Sequence, residues 1–369
     1  MKKWFLALCL LLSFCLLGCI VTQQSVEQTQ TTTPTDVPTE APTATPAAID
    51  VSIATPVSES DATAIPTAEP TAEPTATPEP TPAPTPVPTR EPKEGDVTDH
   101  FPNYDTGVDA DYSYQSDELR IAITVVEDEE ELQKYYVADI WIRNISAFRT
   151  GFGNGAFGTG TEDSEDFATR EHAILAMTGS MNMGMVYHNG QRFKGFQSQD
   201  AHPGIAVIYT DGSMKVFLRE KFSERKAKEY GTILHAWQFG PALVSDGEMT
   251  KDFPVRATRH PRCIIGYYEP GHYCLVTVDG RSKTALGMTE REMAELMISL
   301  GCKEAMNLDG GSSAMMVFMG EVINNPSLDN DGDGKSDRRL KDMLLFAEYD
   351  DQGDAPALED VDMGKVKVP

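Results

Sequence analysis

Apolar positions along this chain fall into two regimes. Up to about residue 98 they are concentrated in one run, 4–17, and from about Leu119 they recur with the periods of strands and of one helix. Residues 119–126 and 135–142 are dense in Ile, Val and Tyr and are separated by the acidic run 127–131, which predicts two consecutive strands. Residues 174–177 read as a short strand that exits through Thr178-Gly179-Ser180-Met181-Asn182, a turn-prone stretch. Runs 205–209 and 214–218 bracket Thr210-Asp211-Gly212-Ser213, where Asp-Gly marks a hairpin. A second hairpin is predicted from 263–268 and 273–278 around Glu269-Pro270-Gly271-His272; symmetric pairing sets Cys263 opposite Val278 and Cys274 opposite Tyr267, with both sulfurs on one face. Each hairpin follows a His-Pro pair, His202-Pro203-Gly204 and His260-Pro261-Arg262, which reads as a weak internal repeat or as convergent use of Pro at strand starts. Thr289 and Glu292 form a Thr-x-x-Glu capping box ahead of Met293, Leu296, Met297 and Leu300 at helical spacing, and Gly301 ends that helix. Residues 304–308 then predict a strand packed under it. The expected fold class is α/β of the α+β type, a mixed, β-rich sheet core with a few helices.

The early apolar run changes the picture of where the chain works. Met1-Lys2-Lys3, the run 4–17 and Gly18-Cys19 have the layout of a secretory signal, too short for a comfortable membrane span. Leu16-Leu17-Gly18-Cys19 resembles the lipobox of bacterial lipoproteins, so Cys19 is expected to carry a lipid; an ordinary secretory signal is the alternative, and either places the mature chain outside the cytoplasm. Residues 20–98 are mostly Thr, Pro, Ala and Glu, a composition that cannot bury enough surface to offset its ordering entropy. About 80 such residues at about 3.1 Å each form a stalk on the order of 200 Å long. The sequence thus divides into a signal at 1–19, a disordered linker at 20–98, a single head domain at 99–350 and an acidic tail at 351–369.

A formal net charge of -26 argues against nucleic acid as a partner, since phosphate-backbone binding needs an extended basic surface. One stretch reverses sign: Arg256, Arg259, His260 and Arg262 lie close together, and Arg281 follows, a composition that suits an anion site or a solvated basic loop. Beyond Cys19 only Cys263, Cys274 and Cys302 remain after signal removal, an odd number that points to buried free thiols rather than a disulfide framework.

Chemistry concentrates at Asn307-Leu308-Asp309-Gly310-Gly311-Ser312-Ser313, just after the predicted strand. Two glycines remove the β-carbons that would keep a ligand from the backbone, and Asp309, Ser312 and Ser313 surround the exposed amides with a carboxylate and two hydroxyls. Such a loop holds an anion or a sugar; a turn carboxylate accepting backbone amides is the plainer reading of Asp309. Farther on, Asp329, Asp331, Asp333 and Asp337 stand at positions one, three, five and nine of an EF-hand-like loop with Gly334 at six, but Leu340 replaces the usual glutamate at twelve. Structural Ca2+ of modest affinity is expected there, and no organic cofactor.

Five separated motifs then appear in order: Phe239-Gly240-Pro241-Ala242-Leu243-Val244, His260-Pro261-Arg262, Val278-Asp279-Gly280-Arg281, Gly287-Met288-Thr289, and the 307–313 loop followed by Asn324 and Pro326-Ser327. This succession resembles the phosphodiester glycosidase family over about residues 119–346. The family pattern also has an Asn ending an early strand, which Asn182 matches although Met183-Gly184-Met185 departs from the usual glycine and aromatics, and an arginine opening the last strand, matched by Arg338 or Arg339. What the resemblance implies is hydrolysis of a sugar-1-phosphodiester in a cell-surface or extracellular glycan. Asp309 is then the catalytic carboxylate, Asp279 its partner and His260 a proton carrier; Arg262 and Arg281 hold the phosphodiester, and Asn182, Asn307, Gly310, Gly311, Ser312, Ser313, Asn324 and Arg338 line the substrate. A non-catalytic glycan-binding module of the same fold, and a glycosidase with no phosphate requirement, are the rival classes.

Overall fold

Alternation of buried and half-buried positions builds the largest sheet. In strand Gln133–Ile142 every second residue from Tyr136 to Ile142 is buried, so one face turns to the core and the other stays partly wet. The computed structural model describes residues 91–102, 110–255, 257–327, 337–350 and 353–369, all within one compact unit, 84–369. Among these residues three sheets form, and every strand pairing is antiparallel.

The nine-stranded sheet runs, edge to edge, Glu248–Met249, Ala242–Ser245, Glu304–Asn307, Arg262–Glu269, His272–Val278, Gln133–Ile142, Leu119–Asp128, Tyr112–Gln115 and Val366–Lys367. A second sheet orders Gln191–Lys194, Val186–His188, Ile233–Phe239, Gly204–Tyr209 and Met214–Leu218. The third orders Glu321–Val322, Met316–Phe318, Leu175–Thr178, Asp342–Phe346 and Phe148–Phe152. Side chains from all three, among them Ile140, Ile265, Ile208, Trp237, Met177 and Phe346, meet in one apolar cluster. The middle strands of the large sheet are buried on both faces, because helix Glu290–Ser299 covers the other side with Met293 and Met297. That double burial explains why their sequences are continuous apolar runs.

The helix has its predicted capping box, with the Thr289 side chain accepting from the Glu292 amide and the Glu292 side chain accepting from the Thr289 amide. Both His-Pro pairs precede antiparallel hairpins, one in each of two sheets. The second hairpin departs from symmetric pairing: Arg262, not Cys263, faces Val278, and Cys274 faces Gly266, because Tyr268 is an extra residue bulged between the pairs Tyr267–Tyr273 and Glu269–His272. Cys263 therefore enters the central cluster and Cys274 the cluster under the helix, on opposite faces rather than one. Both thiols, and that of Cys302, are buried and free. The acidic C-terminal segment is not separate from the head: Val361 joins the core, and Val366–Lys367 pairs with Tyr112–Gln115 as an edge strand. Nor does the head begin at residue 99, since the Val97 amide donates to Arg143 O at 2.9 Å and its side chain packs on the core.

Candidate active site

Strand Glu304–Asn307 delivers the 307–313 loop to a junction of two sheets. The Leu308 amide donates to Cys263 O at 2.8 Å, the Asp309 amide to Gly179 O at 2.9 Å, and the Gly311 amide to Pro261 O at 2.9 Å, so the loop is stitched on both sides. The glycines answer to protein neighbours rather than to ligand approach. A β-carbon on Gly310 would stand 2.7 Å from Pro261 O, and one on Gly311, whose φ is +62°, would stand 2.8 Å from an Arg281 guanidinium nitrogen.

Asp309 is buried, with Oδ1 accepting the Gly310 amide at 2.8 Å and Oδ2 lacking a hydrogen-bond partner among the described residues. Burial pushes its carboxyl above the ordinary aspartate range; the Gly310 amide, the Ser313 hydroxyl and the charge of Arg338 pull the other way. Arg338 in turn donates from Nε to Ser313 Oγ at 3.2 Å. Asn307, on the same side of the chain two residues earlier, donates from Nδ2 to Gly240 O at 2.9 Å and leaves Oδ1 buried and unpaired.

The companion of Asp309 is Asp342, the first residue of strand Asp342–Phe346. It is fully buried, and Oδ2 accepts from the Ser180 amide at 2.9 Å and from Ser180 Oγ at 3.2 Å, while Oδ1 has no partner. Burial pushes its carboxyl up to about 6 against those hydrogen bonds, and the negative charge on Asp309 adds to the rise. Gly179 lies between the two carboxylates: its amide donates to Asp342 O and its carbonyl accepts from Asp309, and a β-carbon there would stand 2.3 Å from Asp342 Oδ2. Behind Asp342 the His188 ring, 4.0 Å away at Nε2, is held neutral by burial. Asp309, Asp342, Thr178 and Ser313 border a cavity of about 450 Å³, and Arg338, Arg339 and Lys341 line it with positive charge. That volume suits a small ligand. The arrangement joins a proton-handling carboxylate pair to a cationic wall.

Other expected site residues are placed as follows. Asn182, with φ of +55°, donates from Nδ2 to Lys341 O at 3.3 Å and so lies beside Asp342. Asp279 does not line the cavity. Its buried carboxylate accepts from Asn324 Nδ2 at 3.1 Å, Asn325 N at 2.9 Å and Asn325 Nδ2 at 3.0 Å, and burial pushes it up to about 6. Asn324 is spent likewise, donating to Ala314 O and accepting from the Met316 amide. These bonds brace the chain leaving the loop. Asp279→Ala, which strands three donors, is expected to lower unfolding free energy by about 2 kcal/mol in a denaturant titration. His260, Arg262 and Arg281 cluster at the Gly310–Gly311 turn and are absent from the cavity lining, whereas Arg338 borders it. Ser312 stays in the turn next to Ser313. Asp337 reaches the cavity; Asp329, Asp331, Asp333, Arg256 and Cys19 lie outside the described residues. Arg339, the alternative to Arg338 in the motif, also borders the cavity, whereas Asp342 and Lys341 lie outside the motifs, and the only hint of Asp342 in the sequence is an acid directly ahead of the apolar run 343–346.

Residues 164–347 match the phosphodiester glycosidase family. The chain is 30% identical over 215 residues to the SPbeta prophage-derived uncharacterized protein YomE of Bacillus subtilis (strain 168), a match that covers 55% of this chain and 32% of that one, so the chain spans about a third of that relative. Among solved structures it shares the fold of the zebrafish N-acetylglucosamine-1-phosphodiester alpha-N-acetylglucosaminidase catalytic domain auto-inhibited by its pro-peptide, with a TM-score of 0.52 and 17% identity over 65% of this chain and 89% of that one. A hypothetical protein from Synechocystis gives a TM-score of 0.47 at 13% identity, covering 62% of each chain.

Proposed function

We propose, from the premise that residues 164–347 belong to the phosphodiester glycosidase family, that the cavity over Asp309 hydrolyses a sugar phosphodiester in a cell-surface or extracellular glycan. The observation that supports this most is the pairing of two buried carboxylates with a wall of Arg338, Arg339 and Lys341. A phosphodiester carries one negative charge, which guanidinium groups bind through charge-assisted hydrogen bonds. Hydrolysis breaks one ester bond of the linkage, whose departing oxygen keeps the bonding pair, as the water oxygen forms the new bond, so one water proton must leave. Asp309, with Oδ2 free of donors, is the base that accepts it. Asp342 sits in the same electrostatic field and cannot easily be charged at the same time, so the pair carries a shared proton that positions and tunes Asp309.

A lipid on Cys19 and Ca2+ in the acidic loop 329–337 belong to the same proposal, as the sequence expects, with the ion in a structural role. The test is a screen of sugar-1-phosphodiesters against matched neutral glycosides, with and without EDTA. Release of sugar from the phosphodiesters alone is expected, and binding without turnover under any cation would refute it. The pH dependence has a definite sign. Both carboxyls are raised, so protonation removes the base as pH falls, and kcat is expected to drop on acidification at a pH above the ordinary aspartate range. A rate that rises on acidification would exclude Asp309 as base.

A further inference from the structure

With Asp309 as the base, the departing oxygen still needs a proton, and an acid must supply it. His260, the proton carrier expected from the sequence, is bridged to Met288, and burial, then Arg262 and Arg281, hold its ring below the ordinary range. A ring held that way has little proton to give at neutral pH.

The other His-Pro pair carries a different histidine. Asp200 Oδ1 accepts both the His202 amide, at 2.9 Å, and the His202 ring at Nδ1. Against burial, which would raise it, these two hydrogen bonds hold the Asp200 carboxyl below the ordinary aspartate range, so it stays charged. A carboxylate on Nδ1 fixes the direction of the ring and keeps a proton on that nitrogen, which leaves Nε2 to exchange one. Nε2 has no hydrogen-bond partner among the described residues, and the His202 side chain is 24% exposed, so a substrate can reach it.

The dyad is held in place and lies near Asp309. Gln197 and the buried Gln238 exchange hydrogen bonds of 3.1 and 2.8 Å, and Arg219 donates from its amide to Pro203 O at 2.9 Å and from its guanidinium to Asp200 O. The His202 ring lies on Phe239 with centroids 4.6 Å apart. Phe239 leads into Gly240, whose amide donates to Asn307 O at 3.0 Å and whose carbonyl accepts from Asn307 Nδ2 at 2.9 Å. Gly204 closes on the same turn: a β-carbon there would stand 2.6 Å from Ala242 N and 3.2 Å from Gly240 Cα. Gly204 and Asn307 thus both abut Gly240, and each is two residues, at most about 7 Å of chain, from His202 and Asp309 respectively. Electrostatics agrees with this placement. Burial raises the Asp309 carboxyl, and the charge of His202 is among those that pull it back.

We propose that His202, oriented by Asp200, is the general acid of this site and delivers its Nε2 proton to the oxygen that bridges the sugar and the phosphorus. This rests on the hydrolytic reading of the Asp309 cavity. As the water oxygen forms the new bond and gives a proton to Asp309, the bridging oxygen keeps the electron pair of the bond that breaks and takes the Nε2 proton. Asp309 then returns its proton to solvent and the imidazole takes one up, so one water is consumed and the enzyme ends as it began. Asp200 is a positioning residue.

Replacing the bridging oxygen by sulfur tests the acid directly. Sulfur carries negative charge more readily than oxygen and departs without a proton, whichever of its two bonds breaks. His202→Asn is expected to lower kcat on an oxygen-bridged sugar-1-phosphodiester by about a hundredfold and on its sulfur-bridged counterpart by less than about threefold. Asp200→Asn is expected to lose about tenfold on the first substrate and to recover on the second in the same way, whereas Asp309→Asn, which lacks the base, loses on both. Equal losses of His202→Asn on the two substrates, or no loss on the oxygen-bridged one, overturn the acid role and leave hydrolysis intact. A wild-type chain that turns over neither substrate overturns the hydrolytic reading and the acid role with it. Asparagine keeps a side-chain donor for Asp200, so His202→Asn is expected to fold with an unchanged unfolding midpoint; should the ring prove necessary for folding, Asp200→Asn gives the same comparison.

Discussion

Asp309→Asn is expected to lower kcat on a sugar phosphodiester by about a thousandfold while the midpoint of thermal unfolding at about pH 7.5 stays constant or rises. The two halves of this expectation have one physical origin. Asp309 is buried, its carboxyl is raised by that burial, and its Oδ2 has no donor, so the folded protein carries a charge it would be easier to fold without. Asparagine keeps the oxygen that accepts the Gly310 amide and discards the charge. Catalysis loses its base, whereas folding loses the charge's attraction to Arg338 and His202 and its strengthening of the Ser313 contact. Steady-state kinetics beside calorimetry checks both. A large fall in stability together with activity would mean that Asp309 is a turn residue after all, and retained activity would move the chemistry elsewhere.

Gly179→Ala is expected to cost about 3 kcal/mol of stability, and about a hundredfold in kcat for the protein that still folds. The added methyl would stand 2.3 Å from Asp342 Oδ2, 2.6 Å from its Cγ and 3.1 Å from its carbonyl oxygen. None of these atoms has room to yield, because Asp342 is fully buried, hydrogen-bonded to Ser180 and paired along its strand with Phe152. The strands must separate or the carboxylate must turn, and either displaces the Gly179 carbonyl that holds the Asp309 amide. A catalytically normal Gly179→Ala would show that the Asp309–Asp342 spacing is immaterial to the reaction. The same change at Gly158, where a β-carbon meets nothing within 4 Å, serves as the control for space, though its φ of +81° adds local strain.

Particular residues show how far the sequence could be read. The loop 307–313 was recognisable because its glycines and acid are adjacent in the chain, and Asp309 does stand at a cavity. Asp279 lay in an equally good motif and is nonetheless taken up by Asn324 and Asn325. Nothing in Asp-Gly-Arg distinguishes an acid that faces a cavity from one that braces a turn, since the difference lies in which donors arrive from some 45 residues away. Motif order likewise does not tell which cations stand where: Arg262 and Arg281 lie at the Gly310–Gly311 turn, and Arg338, Arg339 and Lys341 line the cavity beside Asp309.

By itself the sequence determined the strands of both hairpins, the capped helix Glu290–Ser299 and the β-rich class, because apolar runs bounded by turn residues and a capping box act over a few neighbouring residues. Tertiary structure alone decided the rest. One bulged residue, Tyr268, moved the second hairpin by a position and put Cys263 and Cys274 on opposite faces. Asp342 became the companion of Asp309 only through Ser180, which is 162 residues away, and through the backbone of Gly179 between them. A carboxylate's neighbours, burial and charge are set by which distant strands pair beside it, and local sequence carries no record of that pairing.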